Sequence, residues 1–160
     1  MDTGGQQDNA ADWRRNIIDD DARIGDLFAL TRRIAVIGIK TEAQADRPAF
    51  YVAEYLQRAG FEIVPVPVYY PEVAHILGEP VYRRLVDVPG EIDLVNVFRR
   101  SGDVAEHAED ILAKHPKAVW MQLGIRNDTV AERLAKAGIR VVQNRCLMVD
   151  HRRYKARAAV

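Results

Sequence analysis

The sequence predicts an α/β fold: a doubly wound parallel sheet of five strands, order 3-2-1-4-5, with helices on both faces. Three observations predict it. Short apolar runs alternate with longer amphipathic segments, the pattern of parallel βαβ units. The runs are apolar throughout, as strands covered on both faces require; Ile34-Ala35-Val36-Ile37 and Ala118-Val119-Trp120-Met121 are the clearest. Arg58-Ala59-Gly60-Phe61 and Lys136-Ala137-Gly138-Ile139 both read as a helix end, a glycine at the left-handed cap and a buried strand start. Right-handed crossovers between such units build a doubly wound sheet.

The elements follow in order. Residues 1–10 are rich in Gly, Gln, Asp and Asn and read as a frayed tail. Asp12 to Leu30 carries a helical apolar period through Trp13, Ile17, Ile18, Ile24, Leu27 and Phe28, with Gly25 allowing two shorter pieces. Residues 1–31 are therefore a tail and helical extension, and 32–160 the main domain. The first strand, Ile34–Gly38, leads to a helix over Ala49–Ala59. The second strand spans Phe61–Val68, and Pro65 and Pro67 imply that its pairing ends early. A loop-rich stretch from Tyr69 to Gly90 holds one helical turn at Val81–Leu85. The third strand, Ile92–Phe98, precedes a helix over Asp103–His115 with acids early and Lys114 late, matching the macrodipole. The fourth strand spans Lys117–Leu123. A helix over Asp128–Ala137 has Thr129 and Glu132 at capping-box spacing. The fifth strand is Ile139–Val142, and Val149–Ala158 forms a terminal helix.

Composition narrows the function classes. The 160 residues are 48% hydrophobic and 29% charged, an ordinary single globular domain. Lys plus Arg and Asp plus Glu both number 23, so no global charge argues for a nucleic-acid partner. No apolar run approaches a membrane span, and the N-terminus lacks the basic and apolar regions of a secretory signal. The single cysteine, Cys146, suits a reducing cytoplasm.

Ligands of doubly wound sheets bind beyond the carboxyl ends of the strands near the order reversal, here expected between the first and fourth strands. After the first strand stand Gly38, Ile39 and Lys40, then Arg47 and Pro48. Gly38 permits close backbone approach, and Pro48 opens a helix whose free N–H groups attract phosphate beside two cations. After the third strand, Phe98 could flank a flat adenine and Arg99 or Arg100 could meet phosphate; the alternative is a core Phe followed by solvated arginines. Gln122, inside an apolar strand, must be hydrogen-bonded, to a ligand or to the protein. Cys146 is either a small buried hydrophobe or a thiol activated by Arg145. His75, His107, His115 and His151 are scattered. His107 and His115 fall on a solvated helix, and no spacing pairs Cys146 with His151. The nicotinamide fingerprint is missing: Lys40 and Ala43 stand where glycines are needed, and Pro67-Val68-Tyr69 offers no acid after the second strand. A P-loop is also missing.

Ile34–Gly38, Asp46-Arg47-Pro48-Ala49-Phe50 through Leu56, Gly78-Glu79-Pro80-Val81-Tyr82, Val97-Phe98-Arg99, Ala118 through Gly124, and Asn144-Arg145-Cys146 occur in this order. Over about residues 32–155 the set resembles the small stand-alone CoA-binding proteins, a family related to the nucleotide-binding domain of the succinyl-CoA synthetase alpha subunit. The resemblance implies a Rossmann-like fold binding coenzyme A or acyl-CoA. It implies that Gly38, Ile39 and Lys40 form the phosphate loop, with Arg47 and Pro48 at the helix start and Pro67 at the end of the second strand. Phe98 and Arg99 fall at the adenosine side, and Gln122 and Gly124 beside the reactive arm. Arg100 and Cys146 complete the candidate set. Three positions depart from the family pattern. Lys40 replaces a small hydroxyl, Ala49 a serine, and Val68-Tyr69 displaces an asparagine. Each change removes a hydrogen bond worth about 0.5–1.5 kcal/mol, and Lys40 restores some of that by charge.

Three function classes follow. A non-catalytic binding module for coenzyme A, acyl-CoA or a related adenine nucleotide fits the residues best. An enzyme component of an acyl-CoA synthetase or acyl-transfer system would need a phosphorylated histidine on a further domain, for which this chain leaves no space. A nucleotide-sensing regulator that reads DNA would need a recognition-helix domain. Asp12–Leu30 covers the sheet or a partner, so a homo-oligomer and a partner enzyme subunit both remain open.

Overall fold

The computed structural model describes residues 12–159; the expected N-terminal tail lies outside them. Five parallel strands form one sheet: β1 (Arg33–Ile37), β2 (Glu62–Val66), β3 (Leu94–Val97), β4 (Ala118–Met121) and β5 (Arg140–Val142). Five α-helices accompany them: α1 (Asp21–Leu30), α2 (Pro48–Arg58), α3 (Ala108–Lys114), α4 (Asp128–Lys136) and α5 (Leu147–Ala158). One face of the sheet is covered by α3 and α4 through Ala108, Ile111, Val130 and Leu134. The other is covered by α1, α2 and α5 through Leu27, Phe28, Phe50, Leu56 and Leu147. The doubly wound, Rossmann-like class and the helices on both faces are as expected.

The strands lie side by side as β2-β1-β3-β4-β5. The expected order 3-2-1-4-5 set the third strand outside the second; instead β3 registers against β1, with Ile34 opposite Leu94 and Ile37 opposite Val97. Pro65 supplies the physical reason. Its carbonyl points away from β1 and accepts the Tyr82 N–H at 3.0 Å, and its ring offers no N–H to a further strand. Strand β2 is thus an edge, closed by the chain around Glu79–Tyr82. The order reversal therefore falls between β1 and β3, not between the first and fourth strands.

The opposite edge is closed by the N-terminal segment. Residues Trp13–Asn16 form a short 3₁₀ turn against α4, where the Asn16 side-chain amide donates to the Ala135 carbonyl at 2.9 Å. Ile17 then bridges Val141, and the Ile18 N–H donates to the Val141 carbonyl at 2.9 Å. The break in the expected Asp12–Leu30 helix thus falls at Ile17–Asp20, where the chain caps the edge of β5, and not at Gly25. Gly25 lies within α1, where a Cβ would stand 3.5 Å from the Tyr154 ring. The segment covers its own sheet.

Other boundaries shift by local chemistry. The helical turn expected at Val81–Leu85 lies at Leu85–Asp87. The expected Asp103–His115 helix splits into a 3₁₀ stretch, Ser101–His107, and α3. Helix α4 is capped by Asn127, whose Oδ1 accepts the Val130 N–H at 3.1 Å, so Thr129 lies inside the helix and makes no capping box. The two glycine caps hold, with φ of 106° at Gly60 and 89° at Gly138.

At the reversal the backbones of β1 and β3 come unusually close. Gly38 has φ 80°, and a Cβ there would lie 2.2 Å from the Phe98 carbonyl oxygen. The Gly38 N–H donates to Val66 and the Phe98 N–H to Ile37, both at 2.9 Å, so neither strand can yield.

His151 is buried beneath the opposite face among Phe28, Tyr55, Phe61 and Tyr154, with Nδ1 2.8 Å from the Tyr55 hydroxyl.

Two predictions follow from this frame. Gly38→Ala combines a left-handed backbone, costing about 1–2 kcal/mol by itself, with a clash against main chain. It should lower urea stability by at least about 2 kcal/mol, and an unchanged midpoint would contradict the close approach. Burial, and then the charge of Lys155, hold the His151 pKa below its ordinary 6.5. Burial, and then Arg99, do the same to His107. Both rings are favoured neutral in the fold, so their contribution is full above the unfolded value and is lost as pH falls through the folded one. Thermal midpoints measured from about pH 7.5 down to about pH 5 should fall, and His151→Gln should flatten that slope; an identical slope would remove His151 from the cause.

Candidate functional site

A cleft of about 570 Å³ opens at the carboxyl ends of β1, β3 and β4, a volume suited to a nucleotide-sized ligand. Lys40, Arg47, Pro48, Phe98, Arg99, Arg100 and Gln122 line it. Seven of the twelve residues singled out in the sequence thus converge, and Gly38 sets the gap between the strands that carry them.

The loop after β1 builds the cationic wall. The Lys40 N–H donates to the Ala49 carbonyl at 3.1 Å, laying the loop against the start of α2. Thr41, the hydroxyl next to Lys40, is committed to a capping box with Gln44 over the turn Glu42–Gln44. Helix α2 starts with Pro48 at its first position, and Arg47 at the cap provides no side-chain acceptor. Its first turn therefore keeps positive backbone character at the cleft. Lys40, Arg47 and Arg100 form no ion pair among the described residues.

Arg99 is different. Its side chain is 11% exposed and lies 3.2 Å from Glu106 and 3.9 Å from Asp103. Its guanidinium stands 5.9 Å from the centre of the Tyr69 ring. Two carboxylates thus compensate its charge, while Nε is buried without a partner. Arg99 forms a flat wall with Tyr69 and Phe98 more than a free anion site.

Gly38 apart, the other four expected residues separate. Ile39 is 1% exposed and belongs to the core. Pro67 is buried at a distinct cavity of about 240 Å³ beside Arg84, His107 and Asp110. His107 is half-buried there with Nε2 sealed and unpartnered, so it does not lie on a solvated helix face. The Gly124 N–H donates to the Asn144 side chain at 2.7 Å, tying the ends of β4 and β5. Cys146 lies in a shallow groove of about 250 Å³ that shares only Leu123 with the main cleft. The Arg145 guanidinium is engaged by Asp150 at 2.7 Å and Asp21 at 2.9 Å. His151 bonds Tyr55, so no Cys–His pair forms.

Tyr69, Leu123, Ile125 and Asp103 line the cleft as well and were not singled out as site residues. Leu123 carried a signal: a leucine directly after a polar strand end, and here 64% exposed. Tyr69 carried none, because the turn after β2 that presents it rests on a left-handed Tyr70, φ 64°.

The sequence and fold have relatives. The CoA binding domain family matches residues 32–152. The uncharacterized protein YneT of Bacillus subtilis is 34% identical over 130 residues, covering 81% of this chain and 93% of its own. A Thermus thermophilus protein of known structure, cell-free ID.343, is 34% identical with a TM-score of 0.77, over 85% of this chain and 99% of its own. The fold also recurs in an acetyl-coenzyme A synthetase of Ca. Korarchaeum cryptofilum solved with phosphate and ADP, at 21% identity and a TM-score of 0.59, over 73% of this chain but 27% of that one. Family match, identity and fold agree: the chain belongs to the CoA binding domain family.

Proposed function

We propose that this chain binds coenzyme A or an acyl-CoA in the cleft between β1 and β3, as a non-catalytic module in a cytoplasmic setting. The observation that carries the reading is the meeting of the uncapped start of α2 with Lys40 and Arg47, on the same cleft as Phe98 and Gln122. A diphosphate is met by backbone N–H groups and cations together, and here the Ala49 N–H in the first turn of α2 stands beside Lys40 and Arg47. The adenosine is read against Phe98, Arg99 and Tyr69, and the pantetheine arm toward Gln122 and Leu123. Binding is favoured over catalysis because the two groups that could make a nucleophile pair, Cys146 and His151, face different partners. Membership of the family supports the ligand class.

Calorimetry of CoA against Arg47→Ala tests the phosphate corner. Arg47 is exposed and holds no structural ion pair among the described residues, so the variant should fold normally. Its affinity for CoA should fall by about 1.5–3 kcal/mol, the scale of a hydrogen bond to a charged group. Unchanged affinity would remove Arg47 from the site.

A further inference from the structure

We infer that Gln122 is a fixed amide donor that reads a carbonyl oxygen on the ligand's pantetheine arm; the inference rests on the CoA reading above. Gln122 is 4% exposed, yet it lines the cleft. Its backbone is held on both sides: its N–H donates to the Val97 carbonyl at 3.2 Å, and its carbonyl accepts the Ile125 N–H at 2.8 Å. Its side-chain oxygen accepts the Leu147 N–H at 3.3 Å and the Asn96 amide at 3.4 Å.

These contacts fix which way the amide faces. The Leu147 N–H, a free donor of the first turn of α5, can only donate, so an oxygen must face it. Asn96 must then present its NH₂ to that oxygen, and the same NH₂ donates to the Trp120 carbonyl at 3.3 Å. The consequence is visible on Asn96 itself: it is fully buried, and its Oδ1 has no partner among the described residues. A buried unpaired acceptor in the middle of an apolar sheet is unfavourable. Asn96 is a positioning residue that locks the amide of Gln122. Gln122 Nε2, in turn, makes no hydrogen bond among the described residues and is not sealed from solvent. Its open side is the cleft.

An NH₂ held this way selects an acceptor and rejects a donor. The arm of CoA offers amide carbonyls, and an acyl-CoA adds a thioester carbonyl; thiol and thioester ligands tell the two apart. The leucine that follows, Leu123, marks an apolar path onward from this donor.

The test measures CoA, acetyl-CoA and ADP, which lacks the arm, against the parent chain, Gln122→Met, Gln122→Glu and Asn96→Ala. Gln122→Glu keeps the side-chain shape and the acceptor that Leu147 and Asn96 require, and exchanges the donor for a carboxylate oxygen. Loss of the donor should weaken acetyl-CoA about 3- to 12-fold in Gln122→Met, and about 5- to 150-fold in Gln122→Glu, with ADP unchanged. Equal losses for CoA and acetyl-CoA assign an amide of the arm; a loss for acetyl-CoA alone assigns the thioester. Asn96→Ala should lower the same arm-to-ADP ratio, a readout that reduced stability alone does not move; an unmoved ratio would strip Asn96 of the positioning role. A parent chain that binds no CoA would overturn the underlying reading and this one with it. Acetyl-CoA binding that both Gln122 variants leave unchanged relative to ADP would overturn this inference alone.

Discussion

The close approach of β1 to β3 at Gly38 is the constraint on which the site depends. A Cβ at Gly38 would sit 2.2 Å from the Phe98 carbonyl, so the two strands can end side by side only with glycine there. That juncture sends the chain in opposite directions. From β1 it passes through Lys40 into α2, and from β3 it passes through Phe98 into Arg99 and the 3₁₀ stretch. The crevice between the diverging chains is the cleft. Lys40 and Arg47 reach it from the β1 side, and Phe98, Arg99 and Arg100 from the β3 side, so the site needs both strand ends.

A second set of contacts holds the far end of the cleft. Arg145 joins the start of α5 to α1 through Asp150 and Asp21. Asp150 is nearly buried, its side chain 5% exposed, and a buried carboxylate needs such a partner. The Trp120 indole N–H donates to the Arg145 carbonyl at 2.7 Å, so the same residue is pinned to β4 through its backbone. This fixes where α5 begins, and hence where the Leu147 N–H meets Gln122. The helical extension at the N-terminus thus contributes to the floor of a cleft it does not line.

The sequence made the sheet legible because apolar strands and glycine-capped helices are local signals. The convergence of Lys40, Arg47, Phe98 and Gln122 was legible for the same reason: each directly follows a strand or opens a helix. Strand order was harder. The deciding residue, Pro65, was visible, but its effect depends on which way one carbonyl points. The side chains of Ile39 and Cys146 do not line the main cleft, because position in a loop does not give side-chain direction. Arg99 looked like a free cation until Asp103 and Glu106, four and seven residues on, folded back onto it. The Asn96–Gln122 pair spans two strands, and nothing local in either strand announces it.

The central claim is that the cleft between β1 and β3 holds coenzyme A. Native mass spectrometry of the freshly purified chain, before and after added CoA, tests it most directly. The account predicts a folded species that carries one CoA-sized adduct, either retained from the cell or gained on addition, and displaced by excess acyl-CoA. A folded chain that stays bare at millimolar CoA, or that retains a nicotinamide dinucleotide instead, would contradict it.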